Sequence, residues 1–113
     1  MGRYVIRADP EQDLYLVFST VVDNFILIGS RDEASHEVSE EALAAADTCG
    51  TSSVYGRGAY DGKTAVSILA PEPRGERWYL LARRHFADYA RLILDGREAE
   101  AEQFLELDPA WSS

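Results

Sequence analysis

The chain has 113 residues and a mass of 12.6 kDa, with 46% hydrophobic and 27% charged residues and a net charge of −9 from 20 acidic and 11 basic side chains. That length suits one domain, residues 1–113, whose folding buries roughly 65% of the surface of the unfolded chain, and the composition excludes disordered and collagen-like classes. So acidic a chain is not a general binder of nucleic acid or anionic membranes, because neutralising phosphates takes clustered cations.

Residues 1–7 lack the apolar stretch of a signal peptide, and no run of about 18 apolar residues exists to span a bilayer. A cytoplasmic protein without a membrane partner is therefore expected. Residues 4–7 predict a short strand. Residues 14–22 and 25–29 are rich in aromatic and β-branched side chains and are separated by Asp23-Asn24, which predicts a hairpin. Because its apolar runs are nearly continuous, the hairpin should be covered on both faces.

Ser30 and Glu33 have capping-box spacing, which allows a turn of helix from Arg31. Ser39 is a good N-cap, Glu40 and Glu41 suit the positive end of a helix dipole, and Gly50 suits a C′ position, so a helix is predicted over 40–48. Cys49, the sole cysteine, can form no intramolecular disulfide. At a helix C-terminus its thiolate is disfavoured, so it is expected to be a small buried core residue.

Asp61-Gly62 reads as a type I′ turn joining a strand over 53–60, bent at Gly56 and Gly58, to a strand over 64–70. The Pro71 to Gly75 turn then leads to a strand over 77–82, with a long helix from Trp78 as the rival. On a helix advancing about 100° per residue, Arg84, Asp88, Arg91 and Asp95 share one face, while Phe86, Tyr89, Ala90 and Ile93 share the other. A helix is predicted over 83–95, ended by Gly96, and another over 97–107. The order of elements favours an α+β fold: a mostly antiparallel sheet of about four to six strands with these helices on one face.

Several residues could carry chemistry. His36 lies among Glu33, Glu37 and Glu40, but an exposed acidic surface accounts for it, and no metal or cofactor is implied. His85 with Asp88 and a serine could supply a triad only by inventory, since the chain has no G-x-S-x-G elbow; a histidine at the border of the core is the plainer account. Tyr55, Arg57, Tyr60 and Lys63 surround closely spaced glycines and could hold an anion or nucleotide, with a bent hairpin as the competing account.

Charge is uneven along the chain: residues 1–56 sum to −7, residues 57–91 to +3 and residues 92–113 to −5. Arg74, Arg77, Arg83, Arg84 and Arg91 form a basic island. Part of it should be internal, as i,i+4 pairs Arg84–Asp88 and Arg91–Asp95. Arg74, Arg77, Arg84 and Trp111 are the expected interaction residues, Trp111 either folding back on the core or anchoring a partner.

No motif identifies a family. Three functions remain: a non-catalytic interaction or regulatory domain that self-associates or binds a basic protein partner; a small-ligand domain using residues 55–63, catalytic or not; and an acidic mimic of nucleic acid. The first is favoured, because each candidate catalytic residue has a structural explanation.

Overall fold

Ten helical residues between two caps define the most sharply bounded element of the computed structural model. Helix α2, Glu40–Cys49, starts where the Ser39 side chain accepts a hydrogen bond from the Ala42 amide and ends at Gly50, which takes φ +93°. The structure describes residues 2–53, 57, 59–60, 65–72 and 75–107, with side chains described except at 70–72, 75–77 and 107.

The other elements are strands β1 (Arg3–Arg7), β2 (Tyr15–Ser19) and β3 (Asn24–Gly29), the single-turn helix α1 (Arg31–Ala34), strands β4 (Ala65–Glu72) and β5 (Gly75–Ala82), helix α3 (Phe86–Leu94), the short helix α4 (Glu98–Ala101) and strand β6 (Leu105–Leu107). A 3₁₀ turn, Arg83–His85, precedes α3, and another, Glu102–Phe104, precedes β6. The capping box at Ser30 and Glu33 is closed on both sides.

Among the described residues the strands form two antiparallel three-stranded sheets, β1-β2-β3 and β4-β5-β6, rather than one. Helices accordingly lie on more than one face. Residue alternation along β2 explains why. Leu14, Leu16 and Phe18 enter a core shared with Val66 and Ile68 of β4, Leu81 of β5, and Phe86, Tyr89 and Ala90 of α3. Tyr15 and Val17 point the other way, into a second core with Val5, Ala34, Leu43 and Ala46. All five residues of β2 are buried, as expected for a strand covered on both faces.

The β2–β3 turn is longer than expected: residues 20–23 form it, Asp23 takes φ +54°, and Asn24 already belongs to β3. A β-bulge follows. Val17 pairs with Leu27 and Phe18 with Phe25, which leaves Ile26 without a cross-strand partner. Without the bulge Phe25 and Leu27 would share a face. With it, Phe25 and Ile28 pack on the first core and Leu27 on the second, while Ile26 is displaced outward.

Strands β4 and β5 pair from Ala65 with Ala82 to Glu72 with Gly75, so the rival long helix from Trp78 is excluded. The expected partner strand over 53–60 is not formed by its described residues: Ser53, Arg57, Ala59 and Tyr60 lie outside any strand, and β5 is the ladder partner of β4. Residues 61–64, with the Asp61-Gly62 turn, lie outside the described residues. The helix expected over 97–107 stops after Ala101, and residues 105–107 pair with β5 at Tyr79, Leu80 and Leu81. Helix α3 matches its wheel, with Phe86, Tyr89 and Ala90 buried and Arg84, Asp88, Arg91 and Asp95 exposed. No described helix is long and apolar enough to cross a membrane.

Candidate functional site

The displacement of Ile26 builds the most distinctive surface among the described residues. Val21 and Val22 sit in the β2–β3 turn, 83% and 53% exposed, and Ile26 is 40% exposed. All three line a groove of about 740 Å³. Its opposite wall is the α1–α2 connection, with Val38 and the first turn of α2 at Ala42, and Gly2, Arg3 and Glu37 lie at its margin. Arg3 and Glu37 form an ion pair at 2.8 Å there. Contiguous exposed branched aliphatics of this kind mark interaction surfaces, whereas single exposed apolar residues do not.

A second organised cluster ties α2 to the first sheet. The Tyr15 hydroxyl donates to Asp47, which also accepts from Arg31 Nε at 3.0 Å. Arg31 Nη2 reaches Glu40 at 2.7 Å, and the Arg7 guanidinium lies 3.7 Å from Asp47 and 5.6 Å from the centre of the Tyr15 ring. Burial, then the hydrogen bond to Asp47, pushes the Tyr15 phenol up to about 12. Burial opposes ionisation of Asp47, but the bonds from Tyr15 and Arg31 and the charges of Arg31 and Arg7 outweigh it and hold the carboxyl below its usual range. A shallow depression of about 600 Å³ lies over this cluster. Every charged group at its centre has an opposite partner, so the arrangement serves as a staple between sheet and helix.

The expected ligand residues are not assembled on the described part of the chain. Tyr55 and Lys63 lie outside it. Arg57 is exposed, and its charge acts on the buried Tyr4 phenol. Tyr60 is half-buried, with the Arg83 guanidinium 4.9 Å from its ring centre, so that face of the ring is already taken. Of the expected interaction residues, Arg74 and Trp111 and the side chain of Arg77 lie outside the described residues, whereas Arg84 is exposed on the outer face of α3.

Arg83 corrects the picture of an exposed basic island. It is buried, donates from Nη2 to the Arg7 carbonyl at 2.7 Å, and lies 5.0 Å from the Phe86 ring centre. Among the described residues neither Arg84–Asp88 nor Arg91–Asp95 closes to an ion pair; Arg97 with Glu100 does. Cys49 is exposed rather than part of the core, its thiol donating to the Ala45 and Thr51 carbonyls. His36 is exposed, and among the described residues no three His, Cys, Asp or Glu side chains converge to hold a metal. His85 is half-buried and stacks on Phe104 at 4.7 Å, and the Ser52 hydroxyl accepts from the Val5 amide.

The groove had no signature in the sequence beyond Val21-Val22 beside a turn-forming Asp-Asn pair, because an aliphatic pair at the end of a strand ordinarily continues it. Comparison with protein families, curated proteins and solved structures returns no match for this chain.

Proposed function

We propose that this chain is a non-catalytic protein-interaction domain whose groove, between the β2–β3 turn and the α1–α2 connection, receives an apolar segment flanked by basic residues from a partner protein. The observation that supports this most directly is the exposure of Val21, Val22 and Ile26 on one groove wall. Leaving three branched aliphatics in water is unfavourable by an amount that scales with their apolar area, and a partner that covers them recovers it. The net charge of −9 supplies the second half of the proposal. It favours approach of a cationic segment and disfavours an acidic one, and the attraction weakens with salt.

The test is selection of displayed peptides against the full chain. Peptides carrying aliphatic or aromatic anchors next to Lys or Arg are expected, with affinity that falls as salt rises and is lost in Val22→Glu/Ile26→Glu. Recovery of peptides indifferent to that double variant would overturn the proposal. Sedimentation velocity covers the other occupant: a dimer broken by the same variant would assign the groove to a second copy of the chain.

A further inference from the structure

A net charge spread over the surface steers the approach of a partner without fixing where its cation lands. Among the described residues that line the groove, only Arg3 and Glu37 are charged, and they neutralise each other through the 2.8 Å ion pair at its margin. On the reading that the groove receives an apolar segment with basic flanks, we infer that Glu37 selects the flank: it gives up Arg3 and takes a Lys or Arg of the partner in its place.

The two sides of the pair are held differently. Glu37 belongs to the turn between α1 and α2, where its amide donates to the carbonyl of the fully buried Ala34 at 2.9 Å. The amide of Val38 donates to the same carbonyl at 3.1 Å, so the carboxylate is fixed at the rim next to an apolar wall residue. Arg3 opens β1. Its side chain is 51% exposed and reaches Glu37 through one nitrogen, Nη1 to Oε2. A single contact at the end of a long, solvated side chain is weak, and Arg3 is readily displaced into water. Glu37 Oε1 accepts no hydrogen bond from the described residues. A guanidinium from a partner can therefore engage both oxygens, where Arg3 engages one.

The surroundings set the direction of the exchange. Asp32, Glu33, Glu40 and Glu41 flank Glu37 in sequence and are all exposed. Arg31, the arginine of this stretch, is committed to Glu40 and Asp47. A cation arriving at Glu37 enters a negative field, whereas an anion arriving at Arg3 works against it.

The test compares the affinity of one probe, the peptide most enriched in selection on the wild-type full chain, for single variants of that chain by fluorescence anisotropy. Arg3→Gln frees Glu37 and should tighten binding, and Glu37→Gln should weaken it, each by about two- to five-fold, the range of one exposed ion pair. An ion pair that only held β1 to the turn would shift affinity in the same direction in both variants, because each breaks the same contact. Arg84→Gln and Asp88→Asn, exposed on α3 against the other core, change the net charge by the same amounts and should leave affinity unchanged. Shifts of the same sign at Arg3 and Glu37, equal shifts in the α3 variants, or enrichment of peptides without a basic flank would each overturn the role of Glu37. The groove reading survives those results if Val22→Glu/Ile26→Glu still abolishes binding, whereas a probe indifferent to that double variant would overturn both.

Discussion

The Tyr15 phenol and the Asp47 carboxylate are 32 residues apart in sequence and joined by a hydrogen bond in the fold. Neither stood out beforehand: Tyr15 reads as one more aromatic in an apolar run, and Asp47 as one more acid on a helix. Only the docking of α2 on β1 and β2 brings them together with Arg7 and Arg31. Asp47→Ala should lower stability by about 2 kcal/mol, because it leaves a buried hydroxyl and a guanidinium without their acceptor. Urea unfolding checks this, as a lower midpoint at unchanged slope. The pH dependence runs in opposite directions at the two ends of this hydrogen bond. Asp47 ionises more readily folded than unfolded, so its contribution is complete above the ordinary carboxylate range and is lost as the pH falls through its depressed folded value. Tyr15 and Tyr4 are both raised from 10.0 to about 12, chiefly by burial. Between those values the unfolded chain releases their protons and the folded chain keeps them, so stability falls as the pH rises from about 10 to 12. Tyrosinate absorbance should show both among the late-titrating tyrosines, together with unfolding.

Where an element has its own stop signals, its limits were legible. Helix α2 begins and ends where Ser39 and Gly50 say it should, and the Ser30–Glu33 capping box announces α1. Among the described residues, the two glycines with positive φ separate conformational from steric effects. Gly96→Ala, at φ +75° with open space around a Cβ, should cost about 1 kcal/mol. Gly50→Ala should cost clearly more, because at φ +93° its Cβ would also lie 2.9 Å from the Tyr60 backbone nitrogen. Thermal unfolding of the two variants side by side reads the difference. Elements decided by distant partners were not legible. Residues 102–107 contain good helix formers, but Leu105-Glu106-Leu107 also alternates, and the ladder to β5 selects the strand. The bulge at Ile26 is of the same kind. It is imposed by the need to fill two cores from one strand, and no residue at 25–27 signals it in advance, so the interaction groove was hidden with it.

For the whole molecule, the α+β class with antiparallel pairing followed from the order of elements, but the set of strands did so only roughly, since the described residues of 53–60 form none and β6 lies where a helix was expected, and the division into two sheets depends on which faces the cores demand. Phe86 sits in the larger core with residues of both sheets and is completely buried. Phe86→Ala should therefore remove about 3 to 5 kcal/mol, a large part of the stability of a domain this size, measurable as a lowered denaturation midpoint. Strand β2 belongs to both cores at once, so the two halves cannot unfold independently without baring one of its faces. Its amides should be among the slowest to exchange with solvent. The same placement sets a hazard during synthesis. The first sheet is complete in sequence by Gly29, whereas the helix that covers one face ends at Cys49, and Phe86 on the other side comes 57 residues after the sheet is finished. At about 5 to 20 residues per second, a three-stranded sheet with one hydrophobic face uncovered waits roughly 3 to 11 s for that phenylalanine to be added. Nascent chains stalled in that interval would be bound by chaperones or would aggregate through the bare face and the open edges of β1 and β3.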